Sequence, residues 1–206
     1  NICPLLKKGD VIIIESTVYP GVTENVCGKL IELKTKLKLN KDFFLGYSPE
    51  RINPGDKTKK LENIDKIISA SNNSTLKYLN YLYSSIIKTK LYKARNIKTA
   101  EAAKVIENTQ RDINIALMNE LSMLFKKLNI DTSQVLDAAS TKWNFHKYEP
   151  GLVGGHCIGI DPYYLTYIAK KNNFKTNVIL AGRKINDGLP KYIFQSLIKI
   201  VNKKKN

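Results

Sequence analysis

Three glycines bracket a single thiol in the stretch Gly154-Gly155-His156-Cys157-Ile158-Gly159-Ile160-Asp161-Pro162. Glycine has no Cβ, so it lets the backbone turn sharply and lets a ligand come close. The pattern reads as a sulfur presented to something. Asp161 and Pro162, ahead of Tyr163-Tyr164-Leu165, read as the N-cap and first residue of a helix. A thiol just before a helix start meets positive dipole and free N–H groups, which favours thiolate, the nucleophilic form. A free cysteine is also a common small core residue, and on this segment alone both readings stand. A second candidate set lies upstream. Lys104, Asn108 and Arg111 are spaced by four and three, a cationic–amide–cationic row roughly opposite Ile106 and Ile113 on a helical wheel. The plain alternative for that row is a solvated helix face. Thr17 and Glu50 fall at the ends of predicted strands, where open α/β sheets place their ligands.

The elements that must position these residues follow from periodicity. Val11 to Val18 begins as a β-branched run without polar alternation, which fits a strand covered on both faces as in a parallel sheet. Pro20-Gly21 turns the chain, and Thr23 can cap a helix over 24–36. Phe43-Phe44-Leu45-Gly46-Tyr47 reads as a second strand and Ile67-Ile68-Ser69 as a third, with a helix over 74–86. Strand and helix alternate, so this part is α/β. After residue 96 the pattern becomes helical. One helix runs to Leu128 without Gly or Pro, with Ile106, Ile113, Leu117, Leu121, Leu124 and Leu128 at helical spacing. Asp131-Thr132 starts a short helix ending near Ala139. Residues 140–155 form a loop carrying Lys142, Trp143, His146 and Tyr148, and three more helices are expected over 162–171, 175–185 and 191–201. A loop that long is commonly functional.

Composition narrows the classes. The 206 residues are 43% hydrophobic, enough for one or two cores, and hold no apolar run long enough to span a bilayer. No membrane partner and no secretory signal are expected. Three scattered cysteines do not form a disulfide framework and suit a reducing, cytoplasmic setting. Two histidines with them make a poor zinc set, so no metal is expected. The net charge of +16 raises nucleic acid as a partner. Arginine, the residue of bidentate base and phosphate recognition, occurs only at positions 51, 95, 111 and 183, and the lysines are dispersed. A small anionic substrate fits the same field, and no nucleic-acid partner is expected. No Gly-x-Gly-x-x-Gly occurs, so only the second half of a dinucleotide-binding domain is expected here.

The stretch from Gly151 to Leu165 closely resembles the catalytic segment of the nucleotide-sugar (UDP-glucose, UDP-N-acetylglucosamine, UDP-N-acetylmannosamine) 6-dehydrogenases. It is most similar to the bacterial UDP-N-acetylhexosamine branch of capsule, Vi and O-antigen synthesis. Three more segments resemble the family in order: Glu15-Ser16-Thr17-Val18-Tyr19-Pro20-Gly21, Tyr47-Ser48-Pro49-Glu50-Arg51-Ile52-Asn53-Pro54-Gly55 and Ala100-Glu101-Ala102-Ala103-Lys104-Val105-Ile106-Glu107-Asn108. The resemblance implies the α/β half of a Rossmann-like NAD-binding domain over 1–96, then an all-α central domain over 97–206, like the C-terminal domain of 6-phosphogluconate dehydrogenase. The glycine-rich phosphate loop and the C-terminal UDP-binding domain are expected to lie outside the chain.

The same resemblance implies a reaction: two successive NAD-dependent oxidations that take the C6 alcohol of a UDP-sugar to a carboxylate. Cys157 would capture the aldehyde as a thiohemiacetal and carry the thioester that follows. Lys104 with a water would serve the first deprotonation, a role that suits a lysine among other cations. Glu50 would assist hydrolysis of the thioester, Asn108 and Lys104 would steady oxyanion charge, and Asp161 would orient Lys104 or water. Thr17 would position a water and, with Ser16 and Cys157, meet the cofactor. Arg51, Ile52, Asn53, Arg111, Lys142, Tyr148, Gly151 and Gly154, with Lys104 and Asn108, match substrate-contacting positions. A homodimer through the central helix is implied as well.

Other readings stay open at this point. By itself, the chain could be a dimerising core that holds UDP-sugar without NAD affinity. A thiol hydrolase would need a histidine beside Cys157. His156 is its chain neighbour and points away in an extended segment, which leaves His146. Glu50 could merely cap a turn, and Thr17 could be an ordinary strand residue.

Overall fold

The computed structural model describes residues 2–52, 58–155 and 157–203. Its internal contacts divide it into two compact units, Asn1–Val105 and Ile106–Asn206. The first unit is built on four strands, β1 Val11–Ile14, β2 Phe44–Tyr47, β3 Lys66–Ala70 and β4 Leu91–Lys93, in the order β1-β2-β3-β4. β1 runs parallel to β2, with Val11 opposite Phe44 and Ile14 opposite Tyr47, and β3 runs parallel to β4. β2 and β3 are antiparallel. The sheet is therefore mixed rather than wholly parallel. A parallel return needs a crossover element, and between β2 and β3 the described residues hold only the three-residue 3-10 turn Leu61–Asn63.

The apolar run in β1 does cover two faces. Ile12 and Ile14 join the cluster of Phe43, Leu45, Tyr47 and Ile67, while Val11 and Ile13 join Ile68, Leu79 and Tyr83. β1 itself is only half-buried, and among the described residues it pairs with β2 alone. Helix α2, Asn73–Ser84, presses onto β2 at Gly46, where a Cβ would stand 2.6 Å from Leu79 Cδ2. Glycine is what permits that approach. β4, at three residues, is too short to leave a periodic signal in the sequence.

After β1 the chain winds through a π-helical turn, Thr23–Gly28, into α1, Lys29–Thr35. Thr23 does not cap it, contrary to expectation: the cap position is Val22, and the Thr23 hydroxyl is buried without a partner. The cap comes from far along the chain. The Gly21 and Thr23 N–H groups both donate to the Glu101 carboxylate, Thr23 at 2.8 Å. Glu101 is fully buried. A carboxylate there satisfies donors that a helix start leaves orphaned and complements the dipole.

Helix α3, Ile97–Leu128, starts in the first unit, where Ile97 and Ala100 pack into the core, and continues into the second. The second unit adds α4 Thr132–Ser140, α5 Asp161–Lys171 and α6 Asn177–Lys203. α4 opens on Asp131, whose carboxylate accepts from the Ser133 and Gln134 amides. α6 is one helix where two were expected. Pro190 lies inside it and removes one donor. Arg183, Asn186 and Leu189, all buried, anchor the helix around that point.

The polar row of α3 is buried and part of the apolar row read from the sequence is exposed, although Val105, Ala116 and Met118 are buried. Ile106 is 58% exposed and Leu128 55%, while Lys104 is 9% exposed, Asn108 5% and Asp112 and Asn119 0%. The row that could have been a solvated face is the buried one, apart from half-buried Arg111. No helix among the described residues is long and apolar enough to cross a membrane.

Candidate active site

In the first unit, Ser16 and Thr17 follow the C-terminal end of β1, Ser16 exposed and Thr17 half-buried. The Tyr47 hydroxyl donates to the Ser16 carbonyl at 3.2 Å. The neighbouring turn Ser48-Pro49-Glu50 is bonded to the same edge: Ser48 N–H donates to the Ile14 carbonyl at 3.0 Å and Glu50 N–H to the Glu15 carbonyl at 3.1 Å. The Glu50 side chain is exposed, and its Oε1 accepts from the Arg51 and Ile52 amides at 2.6 and 2.7 Å. Glu50 thus caps its own turn. Both bonds fall on one oxygen, which fixes how the carboxylate is turned. Arg51 and Ile52 are half-buried, and Arg51 Nη1 donates to the Asp65 carbonyl at 2.8 Å. Asn53, expected beside them, lies outside the described residues, as do Pro54, Gly55 and His156.

Under this turn sits a charge that the sequence reading missed. Lys66, the first residue of β3, is 4% exposed, and its Nζ lies 3.3 Å from Glu15 Oε1 and 3.3 Å from the Pro49 carbonyl oxygen. The Tyr83 ring centroid is 5.1 Å away, and the Tyr83 hydroxyl donates to Glu15 Oε1 at 2.7 Å. Burial, and then the neighbouring Glu15 carboxylate, push the Tyr83 hydroxyl well above the usual tyrosine range. The only sequence signal was a lysine placed directly before the Ile67-Ile68 run. Lys104, on α3, is the other buried lysine among the described residues.

In the second unit the expected residues come together around α5. Asn108 stands one turn beyond Lys104 on α3, and its Nδ2 donates to Asp161 Oδ2 at 2.6 Å. Both are buried. Asp161 is the first residue of α5 rather than its cap, which is Ile160. Its carboxylate is turned to α3 instead. Cys157 is exposed, and its carbonyl accepts from the Ile160 and Asp161 amides at 3.2 and 2.9 Å. The thiol therefore sits on the turn that leads into α5. Gly155 has φ +80°, the left-handed region that glycine favours. At Gly151 and Gly154 a Cβ would meet nothing within 4 Å. Gly151 is held by its backbone: its N–H donates to Asn119 Oδ1 at 2.8 Å, and Asn119 Nδ2 donates to its carbonyl at 3.0 Å.

A polar network extends from there. Asn119 Nδ2 also donates to Asn186 Oδ1 at 2.8 Å, and Arg183 Nη1 donates to Asp112 Oδ1 at 2.7 Å. Asn186 donates to Asp112 as well, and the Tyr163 hydroxyl donates to Asp187 at 2.9 Å. Burial alone would lower the Arg183 pKa, but Tyr163, Asp112 and Asp187 outweigh it and raise it. Asn119 and Asp112 were missed because an amide and a carboxylate on a helix carry no motif of their own. Tyr148 is half-buried and exchanges hydrogen bonds with Gln110, at 3.0 and 3.2 Å. Lys142 and His146 are exposed.

Residues 1–87 match the NAD binding domain of the UDP-glucose/GDP-mannose dehydrogenase family, and residues 98–188 match its central domain. The chain belongs to that family. It is 53% identical over 205 residues to the UDP-N-acetyl-D-glucosamine 6-dehydrogenase of Pseudomonas aeruginosa, covering 100% of this chain and 49% of that protein. It is 53% identical over 209 residues to protein CapL of Staphylococcus aureus, covering 97% and 49%. The solved UDP-D-ManNAc dehydrogenase of Pyrococcus horikoshii superimposes with a TM-score of 0.91 at 33% identity, over 99% of this chain and 48% of that one. The chain thus spans about half the length of the relatives it matches. As a member of this UDP-glucose/GDP-mannose dehydrogenase family, it carries the expected fold: part of a Rossmann-like NAD-binding domain joined to a helical central domain.

Proposed function

We propose that the full-length protein oxidises the C6 alcohol of a UDP-N-acetylhexosamine, UDP-N-acetylglucosamine in the first instance, to the uronate with two NAD. The observation that carries this reading is the 2.6 Å bond from Asn108 to Asp161. It ties the buried polar row of α3 to the turn that holds Cys157. The relatives at 53% identity support the substrate class.

The residues present fit the cofactor's nicotinamide end. Exposed Ser16 and half-buried Thr17 stand just past the C-terminal end of a parallel strand, the position where such sheets bind ligands. NAD, when bound, would accept the hydride at each oxidation. Lys104 and an ordered water would take the C6 hydroxyl proton. Cys157 thiolate would then attack the aldehyde carbon, forming a C–S bond, while Lys104 and the Asn108 amide stabilise the oxyanion. After the second oxidation the carbon is a thioester. Glu50 would draw a proton from water as that water attacks, the C–S bond breaks, and Cys157 leaves as thiolate. One alcohol, one water and two NAD give one carboxylate, two NADH and three protons. Arg51, Arg111 and Lys142 would offer cations to the pyrophosphate and sugar oxygens, with Ile52, Asn53, Tyr148, Gly151 and Gly154 lining the substrate. The protein would act as a homodimer.

The test uses the full-length protein with a panel of UDP-sugars. Two NADH per UDP-N-acetylglucosamine are expected, and Cys157→Ser should lose at least about a thousandfold in the complete reaction. Complete turnover by Cys157→Ser would overturn the covalent route. His146→Ala should keep wild-type rates, and its inactivation would favour thiol–histidine chemistry instead.

A further inference from the structure

Burying a lysine carries a cost of several kcal/mol unless partners replace its water. Lys66 is 4% exposed, and its partners are specific. The Nζ faces the Glu15 carboxylate at 3.3 Å, the Pro49 carbonyl at 3.3 Å and the Ser48 carbonyl at 3.5 Å. Those two carbonyls belong to the residues immediately before Glu50. The Glu50 N–H donates to the Glu15 carbonyl. Tyr83 closes the group, with its ring over the lysine and its hydroxyl on Glu15. On the other side, the carbonyl of Asp65, the residue just before β3, accepts from Arg51. The start of β3 therefore grips the turn before and after Glu50, and Lys66 is the charged part of that grip.

We propose that Lys66, braced by Glu15 and Tyr83, is the positioning residue that holds the Glu50 carboxylate in place for thioester hydrolysis. This rests on the reading of Glu50 given above. Lys66 touches no substrate in this proposal. It acts by fixing the Ser48 and Pro49 carbonyls, so that the two amides on Glu50 Oε1 present the carboxylate in a single orientation. A small loss of that order lowers the rate of the step Glu50 serves and leaves hydride transfer and substrate affinity largely alone.

The experiment compares full-length wild type, Lys66→Met, Lys66→Arg, Tyr83→Phe, Glu50→Gln and the doubles that combine Glu50→Gln with Lys66→Met and with Tyr83→Phe. Steady-state rates with UDP-N-acetylglucosamine are read with the fraction of Cys157 held as thioester after acid quench, by intact mass. Lys66→Met is expected to lower kcat about tenfold, change KM less than about threefold, and accumulate thioester. Lys66→Arg should restore most of the rate. The Lys66→Met double should be no slower than Glu50→Gln alone, the mark of two residues acting on one step. Multiplying losses in the double, or a Lys66→Met defect confined to KM, would overturn the proposal. Should Lys66→Met fail to fold, Tyr83→Phe decides: about a threefold slowing of thioester breakdown, absent in the Glu50→Gln background, supports it, and an unchanged rate overturns it. Wild-type turnover by Glu50→Gln itself would instead sink the role given to Glu50, independently of Lys66.

Discussion

Cys157 is the exposed one of three thiols, while Cys3 and Cys27 are half-buried. Burial, and then the charge of Glu101, raise the Cys27 pKa. Cys27 therefore keeps its proton at pH values where an ordinary thiol begins to lose it. Limited iodoacetamide at pH 8, followed by peptide mass mapping, should label Cys157 well before Cys27. Equal labelling would mean that the Cys27 environment is open. At this scale the sequence was most informative where residues form motifs: the Cys157 segment, Glu50 and the Lys104–Asn108 spacing were all readable. Lys66, Glu15, Asn119 and Asp112 were not, because each matters through a partner more than thirty positions away or, for Lys66, through a backbone carbonyl. Nothing local marks a lysine as buried until the strand it opens is seen beneath the Glu50 turn. The plain alternative for Glu50, a turn cap, holds in the structure, where its Oε1 accepts from the Arg51 and Ile52 amides.

Among the elements, α3 carries more of the buried polar side chains than any other. Its first turns carry Glu101, which holds the Gly21 and Thr23 amides, then Lys104 and Asn108, and farther on Asp112 and Asn119. The length of this helix was legible because nothing in it breaks a helix. Its orientation was not, since apolar spacing alone pointed the leucine stripe inward. The buried polar row won because each member except Lys104 has a described partner on another element or turn. Two local rules failed for similar reasons. Thr23 lost its capping role to a distant carboxylate, and Asn186-Asp187-Gly188-Leu189-Pro190, which reads as a break, stays helical because Asn186 and Arg183 are tied to Asp112. Removing Arg183 leaves a buried Asp112 charge without its cation. Arg183→Met should cost about 3–5 kcal/mol, seen as a large drop in melting temperature. Glu101→Gln should cost about 1–3 kcal/mol, because the amide cannot accept from both N–H groups as well as a carboxylate does. A melt unchanged by either substitution would remove the corresponding tie.

For the molecule as a whole, the exposed apolar residues raise a different question from the buried polar ones. Leu117, Leu124 and Leu128 recur on one stripe of α3 and are 48%, 46% and 55% exposed. On α6, Phe194, Leu197 and Ile200 are exposed as well. Such residues invite cover, since burying a leucine side chain is worth about 1.5–3 kcal/mol. A second copy of the chain is the occupant proposed here, as the family resemblance implies a homodimer through this helix. The net charge of +16, by contrast, fits an anionic substrate. The dimer is tested by placing charge on the stripe. In full-length protein, Leu117→Asp with Leu124→Asp leaves every buried polar residue of α3 untouched. Light scattering after size exclusion should read two chains for wild type and one for the double variant, with the far-ultraviolet helix signal preserved. A double variant that keeps the wild-type mass would show that this stripe is not where two copies meet, and the exposed leucines would need another partner.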